Sequence, residues 1–151
     1  MDESRHARLH HWAQNKGLSP EADGYSFSAG NGIHGHIKWS ADGSCIYATA
    51  FLNAQAALRS LPALLEALSL NLFFEATKGG AIAYDSALND LVLTHTIYGE
   101  NYDELTLSNT VSNLVAFVDS VRAVISDCLV PEPSRPMPYI DGVHNLKRVQ
   151  F

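Results

Sequence analysis

Apolar residues change their spacing repeatedly along this chain, and each change predicts an element. Leu9, Trp12 and Ala13 fall on one stripe of the stretch from Glu3 to Lys16, which predicts a short helix closed by Gly17. A turn-rich stretch follows, with Pro20, Gly24, Gly30 and Gly32, and it holds a brief strand around residues 25–28. From Ile33 to Trp39 the period drops to two. Ile33, Ile37 and Trp39 share one face while His34, His36 and Lys38 share the other, the alternation of a half-buried strand. Ser40-Ala41-Asp42-Gly43 reads as a hairpin loop in which Asp-Gly supplies the left-handed position. The run from Cys45 to Leu52 is uncharged, β-branched and aromatic, the composition of a central strand.

The period then returns to three and four. Leu58, Leu61, Leu64, Leu65, Leu68 and Leu72 fill one face of a predicted helix, with Pro62 in its first turn, where a missing N–H costs nothing. Ala63, Ala67, Leu70 and Phe74 fall roughly opposite. A domain of this size covers a helix from one side, so a helix apolar on two sides calls for a protein partner. The expectation is a dimer interface at Ala63, Ala67, Leu70 and Phe74. Lys78-Gly79-Gly80 ends the helix, and 81–85 with 91–98 form a second hairpin. Asp103 and Glu104 open a last helix with the charge its dipole favours, and Leu107, Val111, Leu114, Val115, Val118, Val121 and Ile125 make its stripe. The elements run α-βββ-α-ββ-α, an α+β layout with one antiparallel sheet packed by helices.

After Val130 the pattern stops. Four of the six prolines lie between Pro131 and Pro138, so residues 1–130 read as one domain and 131–151 as an extended, mostly disordered tail. Val143, Leu146, Val149 and Phe151 make the end of that tail apolar enough to dock somewhere.

Charge narrows the functions. Residues 17–128 hold four of the ten Lys and Arg side chains and twelve of the sixteen Asp and Glu, a net charge of -8 against -6 for the whole chain. A body this acidic repels phosphate backbones, which disfavours nucleic acid as a partner. Cys45 and Cys128 are far apart and outside any Cys-x-x-Cys spacing, as expected of free thiols in a reducing compartment. The N-terminal residues MDESRHARLHHW contain no apolar signal region, and the run from Leu61 to Phe74 is shorter than the ~20 residues of a membrane span. A soluble intracellular protein is expected.

Chemistry is sparse. His6 and His10 are four apart on a helix and His34 and His36 two apart on a strand, spacings that suit a metal, but no Asp, Glu or Cys stands at a matching offset. Solvent-facing histidines are the simpler expectation. A small ligand- or metal-binding domain using the His34/His36 face is the alternative function. There is no Gly-x-Ser-x-Gly elbow, and Gly79-Gly80 follows a helix and precedes a strand, the reverse of a phosphate-binding loop. Nothing supports catalysis. Binding remains, either through exposed apolar residues or by strand addition to an open sheet edge.

Leu64-Leu65-Glu66-Ala67, then Asn71-Leu72-Phe73, then Gly80-Ala81-Ile82-Ala83-Tyr84-Asp85 form a pattern of helix, small-residue break and strand ending in Asp. With Leu91-Val92-Leu93 and the helix from Asp103 through Val118, this pattern resembles the class I type III secretion chaperones, the Tir-chaperone or CesT-like family. The resemblance covers roughly residues 5–128 and leaves out the Pro-rich tail. It implies a bacterial cytoplasmic homodimer without cofactor that binds the N-terminal segment of one or a few secreted effectors. It also implies dimerisation through the middle helix, and a client surface on the first helix and the sheet, which by position points to Leu9, Trp12, Phe27, Ile33, Ile37 and Trp39.

Overall fold

The structure is a computed structural model that describes residues 3–72, 79–98 and 102–129. Phe74, Lys78 and the tail 131–151 lie outside the described residues. Helix α1 (Glu3–Asn15) is followed by strands β1 (Ser19–Glu21), β2 (Gly24–Ala29), β3 (Ile33–Trp39) and β4 (Cys45–Phe51). Helix α2 (Leu61–Ser69), strands β5 (Ala81–Asp85) and β6 (Asp90–Tyr98), and helix α3 (Glu104–Leu129) complete the order. The six strands form one antiparallel sheet in the order β1-β2-β3-β4-β6-β5. The α+β class and the order of its main elements are those the residue pattern predicts. The sequence reading passed over β1, whose three residues include a proline and too few positions to show any alternation.

Cross-strand register sorts the two sheet faces. Ile37 pairs with Ala48, Ala48 with His95, Gly35 with Ala50, and Ala50 with Leu93, so these residues share one face. On that face Ile33, Ile37, Ile46, Ala48, Ala50, Leu93 and Ile97 join Leu9, Trp12, Leu107, Leu114 and Val118 of the helices in one buried core. The opposite face carries His34, His36, Lys38, Tyr47 and Thr94, all exposed or half-buried. The period-two reading of residues 33–39 therefore places its apolar and polar sets on the correct sides.

Close approach explains why the glycine-rich stretch can still be a strand. Phe27 lies directly across from Gly35, and its ring covers that glycine. A Cβ at Gly35 would stand 2.4 Å from Phe27 Cζ and 2.2 Å from the Thr49 carbonyl oxygen. The turns use the expected residues: Gly43 has a φ of 71° in the β3–β4 loop, and Gly17 has 69° just past α1.

Polar groups fix the ends of the elements. The Ser60 hydroxyl accepts from Ala63 N at the start of α2, and the Asp103 carboxylate accepts from Thr106 N at 2.7 Å at the start of α3. The Arg122 guanidinium on α3 donates to the Leu52 and Phe51 carbonyls at 2.8 and 3.2 Å, tying the helix to the end of β4. Asp90 is buried, and its carboxylate accepts from Ala54 N at 2.7 Å and Leu91 N at 2.8 Å.

Gly35→Ala is expected to destabilise the domain by about 1–3 kcal/mol, since the new methyl must displace backbone or a packed ring. A urea titration should show a lower midpoint at unchanged slope. An unchanged midpoint would mean that the Phe27–Gly35 contact does not constrain the sheet.

Candidate functional site

Two surfaces stand out, one on α2 and one beside α1. On α2, alanines and leucines take opposite roles. Ala63 and Ala67 are completely buried, while Leu61, Leu65, Leu68 and Leu72 are 66%, 57%, 40% and 78% exposed. The inward face packs mainly against α3. Methyl side chains allow that close approach, and the bulkier leucines at four- and three-residue steps are left on the outside. This corrects the expected interface. Ala63 and Ala67 belong to the core of the monomer and Leu70 is half-buried against it, so the outward apolar face is the leucine stripe. Beside the stripe, Leu58, Leu64, Leu68, Tyr84, Asn89 and Leu91 line an apolar cavity of about 490 Å³.

The second surface is a groove of about 870 Å³ between α1, the β1–β2 hairpin and the start of the β3–β4 loop. His6, His10, Tyr25 and Trp39 line it, with Glu21 and Asp23 at the hairpin and Ser40 and Ala41 at the far end. Sequence places these groups: His6 and His10 share one side of α1, while Tyr25 and Trp39 lie on the helix-covered face of β2 and β3. The His6 ring meets the Trp39 ring edge-on at 4.6 Å between centroids. His10 Nδ1 shares a hydrogen bond with the Tyr25 hydroxyl. Lys38 lies 3.1 Å from Asp23 and 3.9 Å from Glu21.

Neighbouring contacts hold α1 in place. Trp12 Nε1 donates to Ser108 Oγ at 2.9 Å, Arg8 donates to the Tyr102 carbonyl, and His11 Nδ1 lies 2.8 Å from Glu104 Oε1. The Trp39 ring lies 6.0 Å from that of Tyr102, so the groove opens near the N-terminal end of α3.

Of the client residues expected from position, Trp39 alone lines this groove. Leu9, Trp12, Phe27, Ile33 and Ile37 are at most 7% exposed, because the sheet face that bears them is covered by α1 and α3. They are core residues, a correction to their expected role. The groove residues that sequence reasoning missed are Tyr25, Glu21 and Asp23. Their signal was a two-residue turn, Ala22-Asp23, between short strands, which would have placed them opposite His6 and His10.

Strand addition has little to work with at either sheet edge. At β5, Ile82 N donates to Asn71 Oδ1 at 2.8 Å and Asn71 Nδ2 donates to the Ile82 carbonyl at 3.0 Å, so one side-chain amide occupies both backbone groups. At the other edge β1 is three residues long and includes Pro20, which has no N–H.

His34 is exposed, with Nδ1 2.9 Å from Ser28 Oγ, and the half-buried His36 ring packs edge-on against Phe51. Among the described residues no group of three potential ligands surrounds either ring or any other point. No helix among them is long and apolar enough to cross a membrane. Cys45 is buried and Cys128 half-buried, both as free thiols.

Residues 9–122 match the model of the Tir chaperone protein (CesT) family. The chain belongs to that family. This chaperone of type III secretion binds effectors, and its family points to a non-enzymatic role. Its fold is shared with solved structures of low identity. One, described as the HopA1-SchA chaperone-effector complex, is 14% identical with a TM-score of 0.63, covering 82% of this chain and 98% of that one. The ExsC-ExsE complex gives 15% and 0.66, covering 83% and 97%. The heterodimeric ExoU-SpcU complex from the type III secretion system of Pseudomonas aeruginosa gives 16% and 0.59, covering 76% and 94%. No curated protein sequence matches the chaperone.

Two histidines make its stability depend on pH. Burial, helped by the nearby Lys38 charge, lowers the pKa of His36, and burial lowers that of His95. Both rings stay neutral in the folded chain at pH values where the unfolded chain, near ~6.5, already takes up protons. Folding stability should therefore fall as pH drops through ~6.5 toward the lowered folded values. The Asp42 carboxyl, held at about 2 by hydrogen bonds from Ser40 and Ser44, acts at lower pH and does not confuse that window. Urea midpoints at pH 7.5 and 5.5 should differ less in His95→Gln than in the parent chain; an equal difference would assign the acid sensitivity elsewhere.

Proposed function

We propose that the chaperone works as a non-catalytic homodimer in the bacterial cytoplasm. The leucine face of α2 joins the two copies, and the groove beside α1 holds the N-terminal segment of a secreted effector in an extended, secretion-competent form. The observation that carries this reading is the exposure of Leu61, Leu65, Leu68 and Leu72 on and just past a helix whose Ala63 and Ala67 are fully buried. Fully burying one leucine side chain contributes about 1.5–3 kcal/mol, so a row of four offers enough to hold a dimer after the cost of association. The adjoining cavity gives a second copy a recess to fill.

The groove suits an extended segment better than a globular surface. It is open, it combines ring faces with carboxylates, and it lies away from the leucine row, so one copy can dimerise and hold a client at once. Side chains seated in the groove supply the contacts, because Asn71 occupies both backbone groups of Ile82 at the β5 edge and β1 is short and includes Pro20.

Light scattering on a sizing column should give a dimer for the parent chain and a monomer for Leu65→Asp. Burying that carboxylate in an apolar contact costs about 3–5 kcal/mol, or ~10²–10⁴-fold in dimer affinity. The monomer should melt without loss of its own cooperativity, because Leu65 is exposed. A Leu65→Asp dimer as tight as the parent would contradict the assignment. Separately, Trp39→Ala should weaken binding of an effector N-terminal segment by ~10-fold or more in calorimetry while leaving the dimer intact. Unaltered affinity would remove the groove from the account.

A further inference from the structure

We propose that, before a client arrives, the groove beside α1 is occupied by the chain's own segment 143–151, which the client must displace. This rests on reading the groove as the client site. The segment Val143-His144-Asn145-Leu146-Lys147-Arg148-Val149-Gln150-Phe151 sets two adjacent cations among four apolar side chains. The groove offers ring faces at Tyr25 and Trp39 and no Lys or Arg in its lining, and Glu21 and Asp23 stand at its hairpin rim with their carboxylates turned toward Lys38. Among the described residues Lys38 is the cation paired with these two carboxylates. Cations also gain from aromatic faces, by about 0.5–1 kcal/mol at exposed sites.

Reach agrees with this placement. Helix α3 has 26 residues, which at 1.5 Å each is ~39 Å. It begins beside the groove, where Glu104 meets His11, and ends at Leu129. The spacer 130–142 carries all four tail prolines, and its thirteen residues, extended at 3.1 Å each, span ~40 Å. It is long enough to run back along α3 and deliver residues 143–151 to the groove. The cavity near Leu58 and Tyr84 has no carboxylate in its lining to meet Lys147 and Arg148, which decides between the two recesses.

A tethered segment acts at an effective concentration up to ~mM, so even weak intrinsic affinity keeps the groove covered and raises the threshold for a client. The segment thus screens apolar surface in the empty chaperone and tunes which clients bind.

The test uses the full chain with Cys128→Ser and a nitroxide on Gln150→Cys, Cys45 being buried. The label should broaden the Trp39 indole and the His6–His10 amide signals and spare the Leu61 and Leu65 methyls. Adding Lys147→Glu and Arg148→Glu should abolish the broadening and tighten binding of an effector N-terminal segment ~3–10-fold. Broadening on the α2 leucines, or no broadening, overturns the inference. Equal client affinity in the two chains, with groove signals shifted in both, overturns the placeholder role and leaves the client site standing. A client that binds without moving the groove signals overturns the site reading and the placeholder role together.

Discussion

Two methyl groups on α2 decide how this chaperone presents itself. Ala63 and Ala67 let the helix lie close against α3, and once they are inside, the helical period turns Leu61, Leu65, Leu68 and Leu72 outward. The apolar row is thus a consequence of core packing, not a separate feature added to the surface. Larger side chains at 63 or 67 would push α2 away from α3 and disturb the face and the core together. Just past the end of α2 stands Asn71, whose amide closes the β5 edge at Ile82. One contact between helices therefore sets the outward leucine row, the proposed dimer face, and Asn71 beside it guards the β5 edge against unwanted strand pairing.

The groove depends on a different set of contacts. Helix α1 contributes Leu9, Trp12 and Ala13 to the core, and its far side is tied down at Arg8 and His11 against Tyr102 and Glu104. That docking sets His10 against Tyr25 and His6 against Trp39 along one wall of the groove. The walls are side chains from a helix and from paired strands, elements that change little on binding. As the proposed client site, the groove is shaped in advance, which limits the ordering cost to the client's own chain.

Much of the fold was legible in the sequence, and much of the site was not. Strict alternation in β3 gave the correct faces because a strand has two sides and charge or apolarity assigns each residue to one. The middle helix defeated the same reasoning, since both of its sides are apolar. Counting bulky residues favoured the leucines as core, whereas the small alanines are what helix contact requires. Choosing Leu9, Ile33 and Ile37 as client contacts failed for a related reason: a residue's face can be read from its period, but the covering of that face by α1 and α3 is a long-range matter. Trp39 differs in position: it stands at the end of β3, partly buried, and lines the groove beside α1. Pro20 hid β1, and with it the carboxylates that complete the groove.

Amide hydrogen exchange with and without an effector N-terminal segment tests the central claim most directly, because it reports groove, edge and dimer face in one experiment. The account predicts slower exchange on client addition in residues 6–10, 21–25 and 39–41, with 81–85 and the α2 leucines unchanged. Protection centred on β5, or on the leucine row of α2, would contradict it.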